Sequence, residues 1–236
     1  MTFDFVAGEI LLVDKEPKWT SFDAVKSIRG TLQKAFNKRR FKVGHAGTLD
    51  PLATGLLLIC TGKATKKIDL LQAQEKVYTG KVFLGATTPS FDLETKVDKE
   101  FPIDHITEEA IYQCAKDFEG EQEQIPPAFS AIKIDGKRAY KYARNDEEVK
   151  MKSRKIIIYH FSITNIELPL IEFEIKCSKG TYIRSIARDF GTKLQSGGFL
   201  HELRRTMIGQ YSVEDALSVA QVKELVIQYA KPIETP

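Results

Sequence analysis

The residues from 43 to 66, VGHAGTLDPLATGLLLICTGKATK, combine a histidine, an aspartate, a proline and four glycines with a run of aliphatic side chains. Glycines let a backbone turn tightly or approach a ligand closely. His45 and Asp50 are residue types that bind metals, move protons or act as nucleophiles. The segment therefore has four interpretations: a phosphate-binding loop, a metal site, plain protein core, or a loop whose carboxylate acts on a base.

The phosphate interpretation does not fit the spacing. A P-loop needs a glycine, four residues, and then Gly-Lys followed by Ser or Thr. Gly62 and Lys63 supply the middle of this pattern, but Leu57 stands where the first glycine belongs and Ala64 follows the lysine. The chain contains no GxGxxG motif either.

The metal interpretation also lacks support. The histidines are His45, His105, His160 and His201, and none is paired with another histidine or a cysteine at the spacing of a metal site. The sequence therefore predicts no metal. Ser–His–Asp catalysis stays open, although the chain has no GxSxG motif.

Asp50 stands directly before Pro51, and proline disfavours helical backbone for the residue that precedes it. Asp50 is therefore expected on an extended or turning segment, at the start of a helix if Pro51 opens one. For an isolated Asp-Pro pair, capping that helix would be the simpler role. The segment as a whole favours a catalytic role instead.

The elements that would position these residues indicate an α+β fold, because strands and helices are mixed without regular βαβ alternation. A strand over 8–16 precedes an amphipathic helix over 20–40, in which Thr20 and Asp23 resemble a capping box. Further strands are predicted over 76–85, 154–168 and 169–180. Residues 121–140 are predicted to form a loop that enters a hairpin. Further helices are predicted over 107–120 and 181–194, and one or two more within 212–230.

Composition places few limits on the partner. The 236 residues carry a formal net charge of +3, which excludes neither nucleic acids nor small molecules. Cys60, Cys114 and Cys177 each lie in an apolar run and form no CxxC pair, so we interpret them as reduced core residues of a cytoplasmic protein. No signal peptide is evident, and no apolar run reaches the length of a membrane span.

The segment GHAGTLDPLATGLL resembles the signature of the TruB family of tRNA pseudouridine synthases, G-H-x-G-T-L-D-P-x-A-x-G-x-L, at every position. The resemblance continues in the family's order over residues 7–210. The further segments that carry it are KVYTGKVFLG, TPSFDLE, QIPPAFSAIKIDGKRAY, CSKGTYIRSIARDFG and LRRTMIG.

The resemblance implies a pseudouridine synthase fold, with a mixed, mainly antiparallel central sheet flanked by helices. It implies an isomerase that flips the T-loop uridine of tRNA, position 55 in tRNA numbering, out of the loop and converts it to pseudouridine. The family uses no cofactor and no metal, which agrees with the searches above. The resemblance also implies a monomer whose partner is the T-arm of tRNA.

Asp50 is implied to be the catalytic carboxylate, and Arg184 the cation that keeps it ionised in a dry pocket. His45 is implied to fill the space that the flipped base leaves, as a wedge rather than as an acid or base. The carboxylate could attack the sugar C1′ or the base C6, or promote loss of a ribose proton, and the sequence does not decide among these routes. Further residues are implied to line or contact the uridine pocket: Tyr78, Lys133, Tyr182 and Leu203.

These assignments have plainer alternatives. A single tyrosine or leucine in a strand is usually core, and Arg184 could be a solvated charge on a helix. Asp50, Tyr78 and Arg184 are all present, which favours an enzyme over a catalytically idle protein that binds or folds tRNA on the same scaffold. A synthase that modifies a different RNA is the other alternative.

Two basic clusters are candidate contacts to the RNA backbone. The first is the segment NKRRFK, with Lys38, Arg39, Arg40 and Lys42 at the end of the predicted helix, and it would equally suit the helix C-terminus through the macrodipole. Arg204 and Arg205 form the second cluster. Phosphate contacts of this kind position an RNA without reading its sequence.

The sequence departs from the family in two places. The family segment D-K-P-x-G-x-x-S reads DKEPKWTS, so Lys18 replaces a glycine. After a catalytic domain predicted over 1–210, residues 211–236 predict a short helical tail rather than a full RNA-binding PUA domain.

Overall fold

The computed structural model describes residues 3–134, 136–145, 147 and 150–230. Its strands are β1 (Ile10–Lys15), β2 (Val43–His45), β3 (Thr54–Thr61), β4 (Lys76–Leu84), β5 (Ala86–Thr87), β6 (Lys99–Glu100), β7 (Gly120–Gln124), β8 (Lys133–Ile134), β9 (Lys137–Arg138), β10 (Arg154–Glu167), β11 (Leu170–Cys177), β12 (Gly198–Ile208), β13 (Tyr211–Ser212) and β14 (Leu217–Ser218). Its helices are α1 (Ser21–Ala35), α2 (Ile68–Ala73), α3 (Glu108–Asp117), α4 (Ala139–Ala143), α5 (Ile183–Lys193) and α6 (Val219–Ala230), with short 3₁₀ helices over Gly62–Lys67 and Val213–Asp215. None of the described helices is both long enough and apolar enough to cross a membrane.

The described residues group into two compact units, and the boundaries fall inside β4 and β12. The first unit contains residues 3–77 and 204–230, and the second contains residues from 78 to 203. In the first unit the strand order is β14-β1-β3-β12, with β2 paired to β3 and β13 paired to β12. Strand β3 is antiparallel to β1 and β2 and parallel to β12, and β14 is parallel to β1.

Helix α1 begins as the sequence predicts. Thr20 accepts a hydrogen bond from the Asp23 amide at 3.0 Å, and the Asp23 carboxylate accepts one from the Thr20 amide at 3.0 Å, which confirms the capping box. The helix ends five residues earlier than predicted, at Ala35, because Asn37 adopts a left-handed backbone with φ of 49°. Lys38 and its basic neighbours therefore lie beyond the helix.

The segment after β12 belongs to the core of the first unit. Val222 and Val226 of α6 are buried in one apolar cluster with Ile28 and Leu32 of α1. The predicted helical tail thus includes β13 and β14 as well as α6, while residues 231–236 lie outside the described residues. The division of the chain into a catalytic domain over 1–210 and a tail stays a prediction.

The second unit has the strand order β12-β4-β11-β10-β7. Strand β10 is antiparallel to both β11 and β7. Its Phe161 packs against Phe173 of β11 and Phe190 of α5, with ring centroids 5.9 and 5.6 Å apart. Together the two units confirm the predicted α+β class with mainly antiparallel strand pairing.

Gly55, at the start of β3, is required by its surroundings, whereas Gly30 in α1 is not. Gly55 has a φ of 97°, and a Cβ there would lie 2.3 Å from the Arg205 carbonyl oxygen. Gly30 is helical, and a Cβ there would meet nothing within 4 Å. We expect Gly55→Ala to lower the free energy of unfolding by at least about 2 kcal/mol, and Gly30→Ala to raise it by roughly 0.5–1 kcal/mol. Urea unfolding of both variants beside wild type checks this, and equal effects of the two substitutions would contradict it.

Candidate active site

Asp50 lies in a turn between β2 and β3 of the first unit. The Ala53 amide donates to the Asp50 carbonyl at 3.1 Å, which closes the turn, and β3 begins directly afterwards. The Leu49 amide donates to the Ser21 hydroxyl at 2.8 Å, and that hydroxyl donates back to the Leu49 carbonyl at 3.1 Å. No helix follows Pro51. The interpretation of Asp50 as a helix cap is therefore wrong, because the chain turns straight into an extended strand.

Arg205 ties this turn to the neighbouring strands. Its side chain is 1% exposed, and its guanidinium donates to the Leu56 carbonyl at 2.8 Å and to the Gly47 carbonyl at 3.1 Å. The predicted RNA-backbone contact does not fit this placement, since a phosphate would have to draw a buried cation away from two main-chain oxygens. Arg205 instead holds the loop that carries Asp50.

Arg204 has a different environment from Arg205. Its guanidinium makes a two-pronged contact with the Asp14 carboxylate, at 3.0 and 2.7 Å, and its side chain is 40% exposed. The hydrogen bonds that the Arg204 guanidinium donates to the Asp14 carboxylate raise the pKa of Arg204. Arg204 is accessible to a partner, but its charge is already paired.

Lys15 is a second buried cation beside the turn, and the sequence analysis did not select it. It occupies an inward position at the end of β1 and is 0% exposed. Its ammonium donates to the carbonyls of Glu16 at 2.9 Å, Trp19 at 2.8 Å and Pro51 at 3.4 Å. Burial lowers the pKa of Lys15 to about 8, an effect that the Asp50 carboxylate partly offsets.

His45 ends β2, five residues before Asp50. Burial lowers the pKa of its imidazole, and the Arg205 guanidinium lowers it further. The ring is therefore neutral at pH 7, since even an unperturbed histidine is mostly neutral there. A neutral aromatic ring suits the predicted wedge.

In the second unit, Arg184 lies in the first turn of α5 and is 3% exposed. Its guanidinium donates to the Ser90 carbonyl at 3.2 Å and to the Phe129 carbonyl at 2.9 Å, and its Nε lies 3.5 Å from the Asp92 carboxylate. Arg184 is thus not a solvated helix charge. Within its own unit its carboxylate partner is Asp92, which is 6% exposed and which the sequence analysis missed although it ends the TPSFD segment.

The turn that presents Asp92 has an unusual backbone. Phe91 has a φ of 62°, which is rare for an aromatic residue and marks local strain. The Arg188 guanidinium lies 4.6 Å from the centre of the Phe91 ring. Arg184 and Arg188 are four residues apart on α5, so the same face of the helix contacts this turn twice.

The other predicted pocket residues have mixed environments. Tyr78 is 8% exposed in β4, and Leu203 is half-buried in β12. Tyr182 precedes α5, where its main chain exchanges two hydrogen bonds with the Gln124 side chain, and its ring faces Arg154 at 5.2 Å. Lys133 is exposed and lines a cavity of about 490 Å³ within the second unit.

The predicted site residues thus fall into two sets, one in each unit. The first contains His45, Asp50, Arg204, Arg205 and the exposed basic segment 38–40, and the second contains Tyr78, Lys133, Tyr182, Arg184 and Leu203. The pairing of Arg184 with Asp50 stays a prediction. In the part of the chain that the structure describes, no cluster of three His, Cys, Asp or Glu side chains has the arrangement of a metal site.

Comparison with known proteins groups this chain with RNA-modifying enzymes. Residues 33–183 match the model of the TruB family pseudouridylate synthases, N-terminal domain. The chain is 54% identical over 222 residues to tRNA pseudouridine synthase B of Flavobacterium johnsoniae, covering 94% of this chain and 97% of that protein. It is 48% identical over 231 residues to tRNA pseudouridine synthase B of Parabacteroides distasonis, covering 98% of both proteins.

A solved structure extends the comparison to the fold. The crystal structure of a Cbf5-Nop10-Gar1 complex contains a chain that is 26% identical to this one, with a TM-score of 0.70. The match covers 97% of this chain and 60% of that one, so this chain spans about 60% of the length of the solved chain. The similarity confirms the predicted pseudouridine synthase fold.

The low pKa of Lys15 predicts a specific pH dependence of stability. Lys15 loses its proton near pH 8 in the folded protein, but near its ordinary value of 10.5 when unfolded. Between these values the unfolded chain binds more protons, so the contribution of Lys15 to the free energy of unfolding rises with pH. We expect the stability difference between wild type and Lys15→Met to grow in favour of wild type from pH 8 to pH 10.5, as measured by urea unfolding.

Lys26 provides the control, because it is an exposed lysine on α1. The stability difference between wild type and Lys26→Met should not change over the same pH range. A difference for Lys15→Met that stays flat or shrinks with pH would contradict the assigned burial of the charged ammonium.

Proposed function

The chain belongs to the TruB family of pseudouridylate synthases, and we propose that it converts the T-loop uridine at position 55 of tRNA to pseudouridine. The observation that carries the proposal is the Asp50 turn, which caps no helix and is held by hydrogen bonds to Ser21, Lys15 and Arg205. A carboxylate carried on a backbone held in this way is suited to act on a substrate that enters the loop.

The reaction moves the glycosidic bond of uridine from N1 to C5 of the base. The C1′–N1 bond breaks, a C1′–C5 bond forms, C5 loses its proton and N1 gains one, so no oxidant, reductant or added group is needed. We assign to Asp50 the role of the carboxylate that starts the exchange, by addition to C1′ or to C6 or by promoting loss of a ribose proton. The products of the three routes are the same.

Lys15 places a positive charge near Asp50 in the first unit. Lys15 interacts electrostatically with Asp50, and Lys15 is a cation below about pH 8. We therefore assign Lys15 as a positioning residue. Its ammonium donates a hydrogen bond to the Pro51 carbonyl and places a positive charge near Asp50.

The second unit supplies the residues that we assign to the uridine pocket. Arg184 is buried, donates hydrogen bonds to two carbonyls and lies 3.5 Å from the Asp92 carboxylate, so its positive charge is held in a fixed place. Tyr78, Tyr182 and Leu203 would supply apolar and aromatic surface to the base. Lys133 would contact the RNA nearby.

We propose that the substrate is recognised by its T-arm and that the uridine is extruded before the chemistry. A stacked base inside a folded loop is out of reach, and flipping it costs a few kcal/mol. His45 would occupy the vacated space as a neutral ring. Exposed Lys38, Arg39 and Arg40, together with Arg204, would lie against phosphates.

Substitution of Asp50 tests the function directly. An unmodified tRNA transcript labelled with tritium at C5 of uridine releases tritium when the new bond forms, and sequencing locates the pseudouridine. We expect wild type to modify only the T-loop uridine, and Asp50→Asn to lower kcat by at least about 10³-fold, since it keeps the shape and removes the charge. Asp69→Asn, an exposed change on α2, should act like wild type. An Asp50→Asn variant with wild-type kcat would overturn the role of Asp50, and wild type that makes no product would overturn the function.

Replacement of His45 distinguishes a wedge from an acid or base. Phenylalanine keeps an aromatic ring of similar size but cannot carry a proton. We expect His45→Phe to retain kcat/KM within about tenfold, and His45→Ala to lose more, because only the alanine variant leaves the vacated space unfilled. The pH profile between 5.5 and 8 should be the same for wild type and His45→Phe. Loss of activity in both variants alike would favour proton transfer by His45.

A further inference from the structure

A small cavity in the first unit is lined by five cationic side chains. Its volume is about 250 Å³, and the cations are Lys38, Arg40, Lys42, Lys63 and Lys66. All five residues are exposed, and no carboxylate lines the cavity. Lys38, Arg40 and Lys42 belong to the basic cluster NKRRFK of the sequence analysis, whereas Lys63 and Lys66 were not predicted.

Two separate segments build the cavity, and main-chain contacts hold them together. Residues 38–42 follow the end of α1, and the 3₁₀ helix Gly62–Lys67 follows β3. The Gly62 amide donates to the Lys42 carbonyl at 3.0 Å, next to the pairing of Val43 with Thr61. Gly62 has a φ of 49°, and a Cβ there would lie 2.5 Å from the Val6 carbonyl oxygen. The two segments that carry the cations are therefore held against each other by main-chain contacts.

The charges of this group are not balanced within the protein. Across the residues that the structure describes, none of the five cations forms an ion pair with a carboxylate. Like charges gathered around one cavity repel one another, and a bound anion would relieve that repulsion. The rest of the lining consists of Val6, Phe41, Gly62 and Thr65.

We propose that this cavity binds phosphate groups of the substrate RNA, at a contact separate from the Asp50 turn. Its volume lies below the roughly 300–1,000 Å³ of pockets that enclose a whole small molecule, so it suits phosphates whose chain continues outside. Four of the five cations are lysines, which contact phosphates as point charges without reading bases. Their exposure leaves them open to a large partner. The inference rests on the proposed RNA substrate and identifies how the protein would hold it.

The test compares two double variants that remove the same charge. Lys63→Gln/Lys66→Gln removes two cations of the cavity, whereas Lys34→Gln/Lys67→Gln removes two exposed lysines that do not line it. Binding of an unmodified tRNA transcript is measured by fluorescence anisotropy at several salt concentrations. We expect the cavity variant to weaken binding about tenfold or more, and to lower the slope of log K against log salt by about 1 to 2. The control variant should stay within about twofold of wild type.

The alternative ligand of the cavity is a free phosphate anion, and a second measurement distinguishes it from RNA. Inorganic tripolyphosphate is titrated into each protein by calorimetry and added as a competitor of tRNA. Competition that is lost only in the cavity variant supports the proposal. Tripolyphosphate binding that needs the cavity while tRNA affinity is the same in both double variants would overturn the RNA assignment. Equal tRNA affinity and equal salt slope in the two double variants, with no tripolyphosphate binding, would overturn the site itself.

The outcome is independent of catalysis. Wild type that fails to form pseudouridine would overturn the proposed function, but a selective loss of tRNA binding in the cavity variant would still support the cavity as an RNA contact. Conversely, full catalysis by wild type with equal tRNA affinity of the two double variants would leave the proposed function in place. It would overturn the cavity as an RNA contact. Circular dichroism and thermal unfolding of both double variants confirm that each is folded.

Discussion

Two buried cations bonded to main-chain carbonyls hold the acidic turn of this protein. Arg205 joins β12 to the turn at Gly47 and to β3 at Leu56, and Lys15 joins β1 to the turn at Pro51. Burying a charge is costly unless hydrogen bonds replace those to water. The cations therefore need the carbonyls of the turn as much as the turn needs the cations. This mutual dependence keeps Asp50 on a defined backbone.

The second unit uses the same kind of interaction. Arg184 is buried, and its guanidinium bonds two carbonyls as well as lying beside the Asp92 carboxylate. The planar guanidinium can do this because its donors point in several fixed directions, which an ammonium cannot match. The strained backbone of Phe91, with the Arg188 guanidinium on its ring, lies between Ser90 and Asp92, both of which Arg184 contacts. Strain of this kind persists only where surrounding contacts compensate for it.

Lys18 shows how tertiary contacts set backbone shape regardless of residue type. It stands where the family segment has a glycine, yet it adopts a φ of 67°, in the region that glycine favours. Its amide donates to the Pro51 carbonyl at 2.8 Å, so the same carbonyl that Lys15 contacts also fixes this loop. The departure in sequence therefore keeps a glycine-like backbone beside the Asp50 turn, at a cost on the order of 1 kcal/mol.

Features that depend on near neighbours in the chain could be predicted from the sequence. The capping box of α1, the alternation of β4 and β11 and the family signature around Asp50 are all local patterns, and the structure and the comparisons confirm them. The end of α1 was predicted less accurately, because the helix stops at Ala35, two residues before a left-handed Asn37 that no periodicity marks.

Which charges are buried, and which groups they contact, depends on the packing of distant segments. Arg205 and Gly47 are 158 residues apart, and Arg184 and Phe129 are 55 apart, so no local spacing reveals these hydrogen bonds. Adjacent arginines of similar appearance, Arg204 and Arg205, differ because successive residues of a strand point to opposite faces. Asp50 caps no helix for a related reason. The chain after Pro51 forms β3, which pairs with β1, and this pairing joins segments that are distant in the sequence.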